Sequence, residues 1–418
     1  MKRSCLWSIA GVGLLASGMA SAQGSQELFS AAPLALASVE KDAAFTALAK
    51  EPSSAKIDVV TVNAAAVAAN AKSLTLALDV GGKVDLNAKL TSSYVTEDGS
   101  VVWQGVITDT ATKREMTANE IADDPLNSVI LVKNGDKVTG NVRVMGQLYK
   151  IRPLHDSRHV VVEVDENLMP LDHPPASYAR IFNEAKPLPT KDADSSGKAN
   201  TVIRVLVNYT PAAASNSGDI NGLITLAIAE SNTGYTNSDV QITLQLAAKS
   251  QVTYTETGNF DTDLARYRGT SDGYMDAIHT QRNTNTADVG VLIVNNTAYC
   301  GLASAIGASA ASAFVEVYWD CATGYYSFAH EIGHLQSARH DPANDPTNTP
   351  YAYGHGFQST AGGWRTIMAY ACASVTCTRL NYWSNPAKTY GGRAMGTASG
   401  NDNHRVLNNT KATVAAFR

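Results

Sequence analysis

The sequence has little charge and no block of like charge. Of its 418 residues 17% are charged, with 33 Lys and Arg against 38 Asp and Glu, which gives a formal net charge of -5. Binding to phosphate backbones or to anionic lipid surfaces relies on clustered basic residues. Nucleic acid is therefore not an expected partner.

Long apolar runs are also lacking once the first residues are set aside. Lys2 and Arg3 precede a short apolar stretch over residues 6–19, and Ala20 to Ala22 has the small residues after which signal peptidase cleaves. No later segment reaches the ~18 consecutive apolar residues of a transmembrane helix. The sequence predicts a signal peptide over residues 1–22, no membrane span after its removal, and a secreted product, extracellular or periplasmic. An uncleaved anchor is the alternative.

Cysteine is scarce, and its placement agrees with export. Of five cysteines, Cys5 would leave with the signal peptide, and four would remain. An even number in an oxidising compartment predicts disulfides, for which three pairings exist. We favour pairing of neighbours, Cys300 with Cys321 and Cys372 with Cys377, because both loops are short. A four-cysteine zinc site is the alternative, although the sequence has no C-x-x-C spacing.

The length predicts two or three domains at ~150 residues per domain. Residues 73–166 contain short alternating runs bounded by turn residues, which is typical of β-strands. Residues 184–200 are rich in Pro, Ser, Asp and Lys and read as a linker. We therefore predict a β-rich domain over residues 23–198, with the linker at its end, and a second domain over residues 199–418.

The second domain alternates strands with amphipathic segments of helix length, which is typical of an α/β layer structure. Two helices are predicted, from Asp219 to Asn232 and from Asp272 to Arg282. Asp219 is placed to cap the first of them.

One motif carries most of the functional signal. Residues 330–341 read His-Glu-Ile-Gly-His-Leu-Gln-Ser-Ala-Arg-His-Asp. His330 and His334 are four apart and share one helix face, so both imidazoles can bind a single zinc ion at ~2.0 to 2.1 Å. Glu331 lies beside that face, where it can take a proton from the attacking water as a general base.

The third ligand follows from helix geometry. A helix continued to His340 would carry that ring ~15 Å along the axis from His330, out of reach of a shared ion. The helix is therefore expected to end around Ser337, which would bring His340 back. Three imidazoles and an open fourth position characterise a catalytic rather than a structural zinc site. The alternative is a two-domain secreted binding protein or adhesin with a structural, non-catalytic zinc site.

This motif, followed by the Met-containing segment Thr366 to Tyr370, resembles the signature of the metzincin zinc proteases. The resemblance implies an α/β (α+β) domain with a mixed sheet and an active-site helix. It also implies that Met368 forms a hydrophobic base beneath the zinc and that Tyr370 contacts zinc or the developing oxyanion. An ordinary core methionine and a buried tyrosine are the alternatives. Ser337 stands where the family usually has Gly, although the turn needs a left-handed backbone that costs other residues ~1 to 2 kcal/mol.

More narrowly, the histidine motif together with Trp364 to Tyr370 and Tyr382 to Pro386 resembles the bacterial peptidyl-Asp metalloendopeptidases, which have a reprolysin-like catalytic domain. The likeness covers about residues 200–418, and the β-rich half resembles their propeptide. It implies a secreted zymogen, inhibited by its own propeptide, that cuts proteins and peptides on the amino side of Asp.

A preference for Asp requires a cation in the pocket that follows the scissile bond. By the same resemblance, the segment after the Met-containing turn lines that pocket, and Arg379 lies there. A guanidinium matches a carboxylate with two parallel hydrogen bonds, so we predict that Arg379 binds substrate. Arg365, Lys388 and Arg393 compete for this role, and a solvated surface arginine is the simplest alternative.

The way in which the precursor is kept inactive is less defined. No cysteine occurs between residues 23 and 299, so a propeptide thiolate cannot silence the zinc, and a carboxylate or steric cover is expected. Asp192 and Asp194 in the linker would allow self-cleavage.

The segment from Asp341 to Asp345 could hold calcium, although it lacks the EF-hand pattern. The remaining histidines lack ligand spacing and read as structural or solvent-facing: His155, His159, His173, His279, His355 and His404.

Overall fold

The computed structural model describes residues 26–31, 39–80, 83–110, 118–185, 187–188 and 199–418. The N-terminal part is built on one ten-stranded sheet with the order β1-β4-β5-β6-β7-β8-β9-β10-β3-β2. Its elements are β1 (Gln26–Glu27), β2 (Phe29–Ala31), α1 (Ala43–Lys50), β3 (Ser54–Val62), β4 (Ser73–Val80), β5 (Lys83–Val95), β6 (Val101–Ile107), β7 (Ser128–Asn134), β8 (Lys137–Val144), β9 (Gln147–Pro153), β10 (His159–Val164) and α2 (Pro175–Asn183).

Every neighbouring pair in this sheet is antiparallel except β1 with β4. Alternating apolar residues and tight turns favour such consecutive antiparallel strands. The alternating pattern of residues 73–166 therefore corresponds to a β-rich N-terminal part.

The C-terminal part contains a five-stranded mixed sheet with the order β12-β11-β13-β15-β14. Its elements are β11 (Thr201–Tyr209), α3 (Pro211–Asn216), α4 (Ile220–Asn237), β12 (Ile242–Gln251), α5 (Phe260–Arg268), α6 (Ala277–Thr284), β13 (Val289–Val294), β14 (Gly301–Ala303), β15 (Phe314–Tyr318), α7 (Ser327–Leu335), β16 (Gln358–Ser359), β17 (Trp364–Arg365), β18 (Thr378–Arg379), β19 (Asn385–Tyr390), β20 (Arg393–Met395) and α8 (Asn403–Val414).

The first four strands of this sheet are parallel, and β14 runs antiparallel to β15 at the edge. All six residues of β13 are buried, as expected of a parallel strand covered on both faces. The fold is therefore mixed α/β, in agreement with the expected class.

The predicted start agrees with the structure for one of the two helices and not for the other. Asp219 caps α4 by accepting a hydrogen bond from the Gly222 amide at 3.0 Å. The helix expected from Asp272 begins only at Ala277. The Asp272 side chain accepts from a nearby backbone amide, and Gly273 and Met275 have φ of +83° and 51°, which are not helical.

The two parts share a core. One apolar cluster contains Leu148 and Val162 from the first sheet together with Ile203 and Val205 from the second. Within the described part of the chain, no helix is both long and apolar enough to cross a membrane.

Candidate metal and active site

Helix α7 carries the first part of the motif and ends where the spacing of the histidines requires. Ser337 has φ of 75°, in the left-handed region. Its amide donates to the His334 carbonyl at 2.9 Å, and the Ala338 amide donates to the Gly333 carbonyl at 3.0 Å. This pair of bonds around a left-handed residue is a Schellman helix end. The chain reverses there and returns His340 to the face that carries His330 and His334.

Four imidazoles, rather than three, converge at this point. The Nε2 atoms of His330 and His334 each lie 3.1 Å from Nε2 of His340. The fourth ring belongs to His173, whose Nε2 lies 3.0 to 3.1 Å from the other three. All four are buried. The expectation that His173 is structural or solvent-facing is therefore wrong.

His173 could not have been found from local spacing. It precedes His330 by 157 residues and lies between β10 and α2 of the N-terminal part. Only the packing of the two parts brings its ring to the cluster, so a pattern confined to one helix and one turn carries no signal for it.

The hydrogen bonds of the rings test whether they suit a metal ion. Nδ1 of His330 lies 3.0 Å from the Ile367 carbonyl, and Nδ1 of His334 lies 2.9 Å from the Ala338 carbonyl. A carbonyl only accepts, so each Nδ1 carries the proton and each Nε2 presents a lone pair. Burial lowers the pKa of His330 to about 3, which keeps the ring neutral. Lone pairs converging at this distance can hold a cation between them, and neutral imidazoles suit Zn²⁺.

Glu331 lies beside the cluster and is 1% exposed. Its Oε1 is 3.5 Å from Nδ1 of His173, and its Oε2 has no hydrogen-bond partner. Burial raises the pKa of Glu331, and the nearby carboxylate of Asp172 adds to the shift. A Cβ at Gly301 would lie 2.6 Å from Oε1, so the glycine makes room for this carboxylate. The arrangement leaves one carboxylate oxygen free to accept a proton.

Met368 and Tyr370 flank the cluster. Met368 is fully buried, and its sulfur would lie 3.2 Å from a Cβ placed on Gly333 of the active-site helix. The ring of Tyr370 is 4.2 Å from that of His340, and its amide donates to Asp341 at 3.0 Å. Met368 therefore packs against α7, and Tyr370 packs against the ring of His340.

Arg379, on β18, is fully buried rather than solvated. Its Nη1 and Nη2 lie 3.1 and 2.6 Å from the two carboxylate oxygens of Asp172. The guanidinium carbon also lies 4.2 Å from the centre of the Tyr325 ring. The carboxylate it binds belongs to the residue next to His173, so this two-pronged contact lies beside the histidine cluster.

The three other basic residues considered for the substrate pocket do not form such a contact. Arg365 is buried and donates to the carbonyls of Cys377 and Ala369. Lys388 forms an ion pair with Asp239 at 3.0 Å, and Arg393 is exposed. Of the four candidates, Arg379 is the one whose guanidinium forms a buried pair with a carboxylate beside the cluster.

The disulfides are those expected from neighbouring cysteines. Cys300 is bonded to Cys321, and Cys372 is bonded to Cys377. The first joins the residue before β14 to the turn after β15. The second closes a small loop that ends just before β18.

The acidic residues considered for calcium have other partners. Asp341 accepts from the Asn344 amide group and from the Tyr370 backbone. Asp345 forms a buried ion pair with Arg339 at 2.8 Å. These contacts explain both carboxylates without a cation. The predicted signal peptide and both linker aspartates, Asp192 and Asp194, lie outside the described residues.

The five other histidines make ordinary contacts. His355 is buried with its Nδ1 2.7 Å from the carbonyl of His340, and Nε2 of His159 accepts from the Val138 amide. The rest are exposed or partly buried: His155, His279 and His404.

The mixed α/β fold and the buried imidazoles beside a carboxylate suit a metallopeptidase. Residues 199–384 match the metallo-peptidase family M12, Reprolysin_5. The chain is 51% identical over 421 residues to a peptidyl-Asp metalloendopeptidase of Xanthomonas campestris pv. campestris, covering 97% of this chain and 98% of the relative. It is 52% identical over 392 residues to one of Stenotrophomonas maltophilia (strain K279a), covering 91% of each chain. The chain therefore belongs to the peptidyl-Asp metalloendopeptidase family.

The predicted resemblance is thereby confirmed, and the chain is a metalloendopeptidase rather than a binding protein or adhesin. The crystal structure of metalloproteinase-II from Bacteroides fragilis aligns with a TM-score of 0.38 at 12% identity, covering 65% of this chain and 82% of that one. This likeness is too low to inform the fold.

Proposed function

We propose that this chain is the precursor of a secreted, metzincin-like zinc endopeptidase that cleaves on the amino side of Asp. The observation that carries the proposal is the buried pair between Arg379 and a carboxylate beside the imidazole cluster. Relatives named peptidyl-Asp metalloendopeptidase support the same specificity. Residues 1–22 are the proposed signal peptide, residues 23–198 the propeptide and residues 199–418 the catalytic domain. The two disulfides favour an oxidising compartment.

The proposed zinc ligands are His330, His334 and His340. When bound there, zinc would polarise the scissile carbonyl and make water a better nucleophile at neutral pH. Glu331 is the proposed general base, since its free Oε2 can accept the proton of the attacking water. Calcium has no support among the described residues.

Tyr370 and Arg379 act on the substrate in this proposal. The ring of Tyr370 lies 4.2 Å from that of His340, so its hydroxyl group can donate to the oxyanion that develops at the scissile carbonyl. Burial raises the pKa of Tyr370, which keeps the hydroxyl protonated as a donor. Arg379 holds the side chain of the substrate's Asp through two parallel hydrogen bonds.

A cleavage-site profile on a denatured proteome tests the proposal. The mature enzyme should cut before Asp, and Glu331→Gln should lower kcat/KM by about 10²- to 10⁴-fold. Arg379→Lys keeps the charge but cannot donate two parallel hydrogen bonds, so kcat/KM for peptides with Asp should fall at least about tenfold relative to peptides with Asn.

Arg393→Ala is the matched control, because that arginine is exposed and should leave the profile unchanged. An Arg379→Lys enzyme with the parent preference for Asp would remove Arg379 from the specificity pocket. Cleavage without regard to Asp by the parent enzyme would refute the proposed specificity itself.

A further inference from the structure

We propose that Asp172 and His173 together form the inhibitory element of the precursor. In this element His173 supplies a fourth imidazole to the metal, and Asp172 fills the pocket that reads the substrate's aspartate. The inference rests on the proposed function and adds the residues that keep the precursor inactive.

The main chain of this segment is held along the edge of the catalytic sheet. Leu171 pairs in parallel with Tyr299. The Cys300 amide donates to the Leu171 carbonyl at 2.9 Å, and the Gly301 amide donates to the Asp172 carbonyl at 3.0 Å. β14, which Gly301 begins, is the edge strand of the five-stranded sheet. Strand addition at an exposed edge is a general way to bind an extended peptide. Residues 171–172 therefore cover the edge at which a bound peptide could pair.

His173 completes the set of nitrogen donors. Its Nε2 is nearly equidistant from the three motif histidines, and its Nδ1 lies 3.3 Å from the Gly301 carbonyl, which again leaves the Nε2 lone pair facing the cluster. Four protein ligands make a closed tetrahedral site, whereas a catalytic zinc needs one position for water. The position that the attacking water needs is filled by protein.

The residues after His173 pack against its ring and against that of His340. Pro174 and Pro175 begin α2, and Tyr178 on that helix stacks on His340 with ring centres 4.0 Å apart. The Tyr178 hydroxyl group donates to Asp345 at 2.8 Å. Because these contacts are buried, α2 holds Asp172 and His173 in place.

Asp172 presents to the pocket the same group that the proposed substrate presents. It is 8% exposed, and both carboxylate oxygens accept from Arg379. In this proposal Asp172 gives the segment its affinity for the pocket. The adjacent His173 fills the position that the attacking water would need.

The first test uses full-length Glu331→Gln precursor loaded with Co²⁺ in place of Zn²⁺ and probed with azide. Four imidazoles leave no position for azide, so the visible spectrum of this precursor should not respond to it. His173→Ala in the same background should give a spectrum that changes on azide addition. His155→Ala is the matched control, because that propeptide histidine is exposed and should behave as the parent does.

An azide-sensitive spectrum in the unsubstituted precursor would overturn the inference, and this result does not depend on whether the His173→Ala variant folds. An azide-insensitive spectrum in a folded His173→Ala variant would overturn it as well. Failure of the precursor to bind Co²⁺ or Zn²⁺ at all would instead refute the proposed zinc function.

The second test addresses Asp172 through the rate at which the Zn²⁺-loaded precursor loses its metal to EDTA. Asp172→Asn removes the charge that holds the segment on Arg379, so His173 should leave the metal more often and the loss should accelerate at least about tenfold. Asp156→Asn, which changes an exposed propeptide carboxylate, should match the parent. Equal rates for Asp172→Asn and the parent would remove Asp172 from the inhibitory element.

Discussion

At the scale of single residues, the backbone of Ser337 determines whether a third imidazole reaches the site. The residue is fully buried, adopts φ of 75°, and its hydroxyl oxygen has no hydrogen-bond partner. A left-handed conformation disfavours a side chain with Cβ, and a buried hydroxyl group without a partner adds a desolvation cost. Ser337 therefore lowers the stability of the fold at the turn that brings His340 to the site.

Ser337→Gly should stabilise the full-length chain. Glycine removes the left-handed strain and the buried hydroxyl group but gains entropy in the unfolded chain, so we expect the free energy of unfolding to rise by about 0.5 to 1 kcal/mol. Thermal unfolding of the full-length chain carrying Glu331→Gln measures the change. Ser337→Ala removes the hydroxyl group and keeps the Cβ, so it should give less than half the gain. A gain in Ser337→Ala equal to that of the glycine variant would assign the cost to the hydroxyl group instead.

The site residues that could be predicted from the sequence are those placed by local structure, within one helix and the turn that follows it. His330, Glu331 and His334 follow from helix periodicity, and His340 follows from the impossibility of reaching the ion along a straight helix. His173 depends on how one half of the molecule packs against the other. No periodicity within either half encodes that contact, so it was missed.

At the scale of elements, the two disulfides adjoin β14 and β18, the two strands that contact residues 171–172. Cys300 precedes the edge strand β14, against which residues 171–172 lie, and its partner Cys321 follows β15. Cys372 and Cys377 close a loop just before β18, which carries Arg379. Strand positions were predictable where apolar residues alternate. The late start of α6 was not, because side-chain contacts to the backbone replace its expected first turn.

Removal of the two disulfides should have unequal effects. The cysteines are 21 residues apart in Cys300–Cys321 and five apart in Cys372–Cys377. The loop-entropy relation then gives losses of about 3 kcal/mol for the Cys300→Ala, Cys321→Ala variant and about 2 kcal/mol for the Cys372→Ala, Cys377→Ala variant. Calorimetry on the full-length chain carrying Glu331→Gln compares them directly. A larger loss from the shorter loop would show that local packing outweighs chain entropy here.

At the scale of the whole molecule, the two halves are joined through buried polar contacts as well as through a shared apolar core. Lys150 of the first sheet donates to the carboxylate of Asp320 at 2.8 Å, and the side chains are only 1% and 3% exposed. Arg143 reaches the Gly324 carbonyl, and Asn141 donates to Glu230. Charged groups buried this deeply are tolerated only while both partners are present. We therefore expect the two halves to separate cooperatively, in a single step.

Lys150→Met tests this dependence on paired charges. The substitution keeps the length of the side chain but leaves the Asp320 carboxylate buried without its cation. This should destabilise the full-length chain carrying Glu331→Gln by about 3 to 5 kcal/mol. Lys249→Met is the matched control: it also breaks an ion pair between the halves, with Asp98, but those side chains are 22% and 45% exposed. Its cost should be at most about 1 kcal/mol, because water replaces the lost contact. Equal costs in thermal unfolding would mean that Asp320 becomes hydrated in the variant, and that this buried ion pair does not hold the halves together.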